Sequence, residues 1–288
     1  MPSGILIIDK PAGWTSMDVC AKLRGILGER RIGHGGTLDP MATGVLPVFV
    51  GSATKAVEFA EKGDKEYVAG LRLGMVTNTQ DSTGEVLEER AVSVDRGALE
   101  AVLPRFTGPI QQVPPMFSAI KRDGKKLYEL ARKGREVHRD PRPVTIHALE
   151  VLEQTGPDRF LLRVRCSKGT YVRTLCHDIG QALGCGGCMD ELRRTMAAGF
   201  TLEDAVTLEQ VQEQGEALLM PVDCFFAGCP VFLLASPRME RMARNGSPVP
   251  VPGLKPGQYR VYSREKEFLC LSRYEDGTLR SIKNFFGG

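Results

Sequence analysis

The chain has 288 residues, 42% hydrophobic and 25% charged, which is enough apolar material for one large domain or for a medium domain with a small companion. Its 38 Lys and Arg against 35 Asp and Glu give a formal net charge of +3, so overall charge neither requires nor excludes a nucleic-acid partner. No stretch approaches the roughly 20 apolar residues of a membrane-spanning helix, and the opening has no basic leader or cleavage site of a secretory signal; a cytoplasmic location is the default expectation.

Residues 5–8 (Ile5, Leu6, Ile7, Ile8) read as a buried strand. After the turn signal Pro11-Ala12-Gly13, Thr15 and Ser16 can cap a helix on which Val19, Leu23, Ile26 and Leu27 recur at helical spacing, with Gly28 ending it. Residues 33–44 are glycine-rich, show neither period, and hold His34, Asp39 and Pro40. Residues 45–50 are strand-like, and Pro47 among them predicts a sheet edge or a bulge. Residues 67–73 read as another strand, and Phe160, Leu162, Val164 and Cys166 alternate with Leu161, Arg163, Arg165 and Ser167 as a half-buried strand should. Thr170 is the predicted N-cap of a second helix with the stripe Val172, Leu175, Ile179 and Leu183, stopping at Gly184. Leu192 with Arg193 and Arg194 fits either a helix start with exposed basic side chains or an apolar pocket wall beside phosphate contacts, and the second is favoured. This irregular interleaving lacks the repeating βαβ spacing of a parallel sheet. It predicts an α+β fold with a mixed, largely antiparallel sheet and flanking helices.

Two segments stand apart. Residues 107–143 are turn-rich and carry Lys121, Arg122, Lys125, Lys126, Arg132, Lys133, Arg135, Arg139 and Arg142, offset by only Asp123, Glu129, Glu136 and Asp140. Phe117 and Tyr128 interleave with these cations, which favours a basic arm that grips RNA over a merely solvated excursion. Beyond Cys229-Pro230, turn pairs such as Asn245-Gly246 and Asp276-Gly277 separate short alternating runs at residues 259–262 and 268–271, the pattern of a small β-rich module. The predicted boundaries are a catalytic domain over 1–228, with its inserted arm at about 107–143, and a β-rich domain over 229–288.

The 8 cysteines are scattered and read as reduced, mostly buried small side chains. Cys185 and Cys188 have C-x-x-C spacing, but no second pair stands at zinc-ligand distance and no thioredoxin-like context surrounds them, so no metal role is expected.

The stretch Gly33-His34-Gly35-Gly36-Thr37-Leu38-Asp39-Pro40 is not a phosphate loop, and no Rossmann glycine motif occurs. It offers a carboxylate held toward extended geometry by the following proline, among glycines that let a substrate approach the backbone. Asp before Pro is equally at home in an ordinary turn, and local chemistry alone does not choose between the two.

The ordered motifs do choose. His34-Gly35-Gly36-Thr37-Leu38-Asp39-Pro40, then Ala42-Thr43-Gly44-Val45-Leu46-Pro47 and Gly51-Ser52-Ala53-Thr54-Lys55, resemble the catalytic motif of the bacterial tRNA pseudouridine-55 synthase family. Five further segments agree in order: Asp9-Lys10-Pro11-Ala12-Gly13-Trp14-Thr15-Ser16; Lys65-Glu66-Tyr67 with Leu73-Gly74 and Asp81; Gln112-Val113-Pro114-Pro115 with Ser118-Ala119-Ile120-Lys121; Ser167-Lys168-Gly169-Thr170-Tyr171-Val172-Arg173; and Leu192-Arg193-Arg194-Thr195 leading to Gly199-Phe200. The resemblance runs from the N-terminus to about Phe200, and the C-terminal part resembles a PUA-type RNA-binding module more faintly. It departs from the pattern at Cys185-Gly186-Gly187-Cys188, a loop of its own.

The resemblance implies a pseudouridine synthase fold and a uridine in the tRNA T arm as substrate, with no cofactor and a monomer that requires no protein partner. It gives Asp39 as nucleophile, Arg173 as its cationic partner, Tyr67 as the ring beneath the target base, and Tyr171, His34, Leu192 and Lys10 as residues that line or shape the pocket. Breaking N1–C1′ and rejoining through C5 needs no redox change, and an ionised carboxylate suits it. Arg173 falls in the first turn of its predicted helix, where a cation opposes the dipole at a cost of about 0.3–1 kcal/mol, so it answers to something other than helix stability. Extruding the base costs a few kcal/mol, of which one aromatic face returns roughly 1–3 kcal/mol. Two other readings share these motifs, a guide-RNA-dependent synthase and a non-catalytic RNA-binding or RNA-folding protein. The compact length favours a stand-alone enzyme over the first, and the presence of Asp39 and Arg173 speaks against the second.

Overall fold

The computed structural model describes residues 2–122 and 124–286; Asp123 of the basic arm lies outside them. The chain runs β1 (Gly4–Lys10), α1 (Ser16–Leu27), β2 (Ile32–His34), β3 (Thr43–Val50), α2 (Val57–Lys62), β4 (Lys65–Leu73), β5 (Met75–Thr77), β6 (Val86–Glu89), α3 (Arg96–Val102) and β7 (Gly108–Gln112). The arm follows with β8 (Lys121–Arg122), β9 (Lys125–Lys126) and α4 (Leu127–Ala131). Then come β10 (Arg142–Gln154), β11 (Arg159–Cys166), α5 (Val172–Ala182), β12 (Gly187–Ala197), β13 (Phe200–Thr201) and α6 (Leu208–Gln214). The last stretch holds β14 (Val231–Leu233), α7 (Pro237–Arg244), β15 (Val249–Pro250), β16 (Gly257–Tyr262), β17 (Phe268–Glu275) and β18 (Thr278–Asn284).

The larger sheet has nine strands in the order β1-β3-β12-β4-β11-β10-β7, with β2 on β3 and β13 on β12. All its pairings are antiparallel except β12 with β3, so the sheet is mixed and largely antiparallel and the fold is α+β. The run Ile5, Leu6, Ile7, Ile8 is apolar throughout because both faces are covered. Leu6 and Ile8 pack with Val19 and Leu23 of α1, while Ile5 and Ile7 pack with Phe49 and Phe226 on the other side. Thr15 caps α1 in a reciprocal box with Asp18, and Gly28 closes it at φ 63°. The alternation at residues 160–166 appears as expected, with Phe160, Leu162, Val164 and Cys166 at 1% exposure or less.

Two sequence expectations are corrected, and one open alternative is decided. Pro47 is neither at an edge nor in a bulge: β3 is an interior strand that pairs with β1 without a register shift. The Pro47 carbonyl accepts from Gly35 N at 2.8 Å, so its amide-less nitrogen faces the same side, at the seam where the flank of β3 passes from β12 to β2. No ladder bond is lost there. Thr170 is not the N-cap of α5. Tyr171 holds that position without a side-chain cap of its own, and the Thr170 hydroxyl instead donates to Ser167 O. Of the two readings of the Leu192 segment, the helix start falls: it lies within β12, and Arg194 there is only 1% exposed.

The C-terminal sheet has five strands, β14-β16-β17-β18-β15, around Val261, Leu269, Cys270 and Leu279. Asp276-Gly277, with φ of 49° and 73°, makes the tight turn between β17 and β18 that Asp-Gly favours. Phe225 and Phe226 join the two sheets, Phe226 packing against Phe59 on one side and Phe268 and Phe285 on the other.

Candidate active site

The strand order brings four distant pieces of chain around one cleft of about 480 Å³. Its walls are the loop 36–40, the inward face of β4 and β12, the segment preceding α5 with its first turn, and the root of the basic arm at 117–119 with Tyr128. Asp39, Tyr67, Tyr171, Arg173 and Leu192 all line it. Lys10 and His34 do not. Lys10 is fully buried beneath the loop and donates to the carbonyls of Pro11 (2.8 Å), Trp14 (2.6 Å) and Pro40 (3.3 Å), so it shapes the cleft from behind. His34 sits on β2 opposite Val48, with its Nδ1 buried and unpartnered.

Asp39 presents a 38% exposed carboxylate to the cleft, and Arg173 Nε meets its Oδ2 at 2.9 Å. The same guanidinium is held from three further directions: Nη1 lies 3.1 Å from Thr79 O and 3.5 Å from Asp81 Oδ2, and Nη2 donates to Phe117 O at 2.9 Å. Asp81 is oriented in turn by the hydroxyls of Thr79 and Thr83 and by Thr83 N. The arginine is thus aimed rather than merely charged. Enclosure pushes the Asp39 carboxyl above its ordinary value, Arg173 pulls it back, and Asp81 adds to the rise.

Gln112 explains the missing cap of α5. From the end of β7 its Nε2 donates to Tyr171 O (3.0 Å) and its Oε1 accepts from Tyr171 N (2.7 Å), fixing the turn that delivers Arg173. One turn on, Thr174 Oγ1 donates to Gln80 Oε1 at 2.7 Å.

Tyr67 is 8% exposed on β4, in register with Arg194 of β12 and Val164 of β11, so its ring is fixed in mid-sheet beside the cleft. Burial pushes its phenol up, and the neighbouring Arg194 pulls it down. Arg194 Nε donates to Val45 O (2.7 Å), Nη2 to Gly36 O (3.1 Å) and Nη1 to Thr37 O (3.4 Å), so one side chain ties the loop before Asp39 to β3. Arg193 forms a two-pronged pair with Asp9 at 2.8 and 3.1 Å. Arg194, 1% exposed and engaged by carbonyls, is not free for a phosphate, which corrects the expectation for it, while Arg193 keeps 43% of its side chain exposed beside Asp9.

Sequence reasoning gave no individual site role to Gln112, Asp81, Lys65 or the carbonyls of Thr79 and Phe117, and it read Arg194 as a phosphate contact. Arg194 had a usable signal: two residues after Leu192 on a strand, it must share the buried face. The two carbonyls leave no trace in side-chain chemistry. Cys188 lies within β12, and burial pushes its thiol up to about 11.

Two family models match this chain: the N-terminal domain of TruB family pseudouridylate synthase over residues 24–172, and the C-terminal domain of tRNA pseudouridylate synthase B over residues 173–225. Proteins named tRNA pseudouridine synthase B are similar along most of its length. The one from Cupriavidus metallidurans is 46% identical, covering 96% of this chain and 92% of that protein. The one from Azoarcus sp. is also 46% identical, with 96% and 93% covered, and one from Pseudomonas putida is 50% identical, with 81% and 79% covered. Among solved structures, a chain of a Cbf5-Nop10-Gar1 complex superposes with a TM-score of 0.75 at 28% identity, covering 98% of this chain and 85% of that one.

Proposed function

The chain belongs to the TruB family of pseudouridylate synthases, and from that premise we propose that it isomerises a uridine of the tRNA T arm, position 55, to pseudouridine with Asp39 as nucleophile. The observation that carries the assignment of Asp39 is the 2.9 Å pair with Arg173 inside a cleft walled by Tyr67. A water-poor cleft favours the neutral acid, and a guanidinium in contact pulls it back toward the carboxylate that the chemistry needs. The flipped base stacks on Tyr67, with Leu192 as apolar wall. Carbon C1′ then comes within reach of Asp39, whose carboxylate attacks it or takes the neighbouring C2′ proton as N1 departs. Tyr171 flanks the nucleotide, Lys10 supports the loop from behind, and His34 holds the everted geometry from outside the cleft.

The basic arm grips the RNA. Phe117 and Tyr128 line the cleft, and Lys126 and Arg132 each lie 5.4 Å from the Tyr128 ring centroid, an aromatic platform among cations. The C-terminal five-stranded sheet serves as a PUA-like RNA-binding domain, with the boundary at residues 228–229. The enzyme works in the cytoplasm as a monomer without a required protein partner. Identity of 46% to tRNA pseudouridine synthases, against 28% to the Cbf5 chain, favours this stand-alone reading over a guide-RNA-dependent one.

The test is incubation of an unmodified tRNA transcript with purified protein, followed by carbodiimide mapping of pseudouridine. Modification at one T-arm uridine, abolished in Asp39→Asn with binding retained, is the expected result. Tight binding with no pseudouridine would instead make this a binding protein on the same fold.

A further inference from the structure

Arg194 is a buried cation without an acid. Its side chain is the largest among the fully buried ones, and among the described residues its hydrogen-bond partners are the carbonyls of Val45, Thr37 and Gly36, with no carboxylate in a salt bridge to it. Lys65 repeats the arrangement one step along the same strand face as Tyr67. It is 7% exposed, and its Nζ donates to Glu61 O (2.7 Å) and Gly63 O (2.6 Å). Both side chains line the cleft and both approach Gly36, and burial first and Arg194 second lower the Lys65 ammonium. The carboxylates of Asp64 and Glu61 are felt by Lys65 but do not pair with it; Asp64 engages His147 at 3.3 Å. At the other end of the cleft Arg173 is offset by Asp39 and Asp81. The charge left over therefore sits on the Tyr67 side. Burying an unmatched cation is expensive, and three carbonyls could be bridged by neutral donors at lower cost.

We propose that Arg194, with Lys65 behind it, is the electrostatic partner of the detached base. This rests on the pseudouridine synthase reading above. When N1–C1′ breaks, its electron pair stays on N1 and the base leaves as a uracil monoanion with charge spread over N1, O2 and O4. The deficit at C1′ is met by Asp39 adding there, or by loss of the C2′ proton to it. The anion turns on Tyr67, and C5 supplies the pair for the new bond to C1′ as the C1′–Asp39 bond breaks or, on the other route, as C2′ takes its proton back from Asp39; the C5 proton is then lost while N1 takes one up, so nothing is oxidised or reduced. Fixed positive charge beside Tyr67 holds that anion through the turn, in a site where little water competes.

The experiment compares single-turnover rearrangement of tRNA carrying uridine or 5-fluorouridine at the target position, read by chromatography of the digested nucleosides. Fluorine stabilises the leaving anion by itself, so it should substitute for a missing cation. Arg194→Met should slow the uridine substrate about 100-fold, as removal of one oxyanion-hole donor does, and Arg194→Lys about 10-fold at most. On 5-fluorouridine the Met defect should shrink about tenfold, with RNA affinity unchanged on both. Equal losses on the two bases, or Arg194→Lys as slow as Arg194→Met, would overturn the inference in favour of a loop tether. Should thermal unfolding show Arg194→Met misfolded, Lys65→Met takes its place with the same two outcomes. A parent enzyme that rearranges neither nucleoside would strike down the functional reading itself, and this inference with it.

Discussion

Arg173 meets Asp39 at 2.9 Å from the first turn of α5, where its charge opposes the helix dipole. The unfavourable placement is retained because four acceptors converge on that one guanidinium. A lysine has neither the fork nor the reach to satisfy them together. Arg173→Lys should lower kcat by about 100-fold or more while tRNA affinity stays within a few-fold, since the lost contact orients the nucleophile rather than the RNA. Filter binding beside single-turnover kinetics checks the split.

The acid limb of the rate should move in opposite directions in two variants. Asp39 must be ionised to act, and its carboxyl stands above the ordinary value because enclosure outweighs Arg173. Asp81 contributes to that rise, so Asp81→Asn should shift the limb to lower pH even as it loosens Arg173. Arg173→Gln removes the largest opposing influence and should shift it to higher pH. Single-turnover profiles from pH 4 to about 8 read both, the lower bound being set by ordinary carboxylate values. Shifts of the same sign would mean that another group sets the limb.

Much of this was legible beforehand. Periodicity found β1, α1, β11 and the C-terminal turns because in each a local rule and the tertiary environment agree. The misreadings share one cause. Pro47, Thr170 and Arg194 were judged by local chemistry, as mark of a sheet edge or bulge, N-cap and phosphate contact, and each is overruled by a partner more than 10 positions away in sequence: Gly35, Gln112 acting on Tyr171, and the carbonyls of Gly36 and Val45. Asp39 could be singled out by its motif, yet the carbonyls of Thr79 and Phe117 that aim its partner could not, because main-chain acceptors are common to every residue.

Gly44 should tolerate no side chain. It sits at φ 99°, and a Cβ would lie 2.2 Å from Arg194 O in the one parallel pairing of the sheet. Gly44→Ala combines a disfavoured backbone with a clash against main chain that cannot rotate away, for about 2–4 kcal/mol of destabilisation. Urea unfolding gives the number. A loss below the ordinary single-mutant scatter would mean that β3 and β12 separate easily here, and that Asp39 is less firmly held than the geometry implies.

Lys10 gives a stability signature of its own. Burial lowers its ammonium from 10.5 to about 8, against the pull of Asp39 in the other direction. Below pH 8 both folded and unfolded chains carry the proton, and the full burial penalty is present. Between 8 and 10.5 the unfolded chain holds a proton that the folded one releases, so this group makes stability rise with pH across that window. Lys10→Met should flatten the rise, measured as urea midpoints at successive pH values in parent and variant. Activity should respond with the opposite sign, because the neutral amine no longer favours ionised Asp39 and donates less strongly to the carbonyls beneath the loop. A parent enzyme that grows both more stable and more active through pH 8–10 would show that the Lys10 charge has no part in holding the nucleophile.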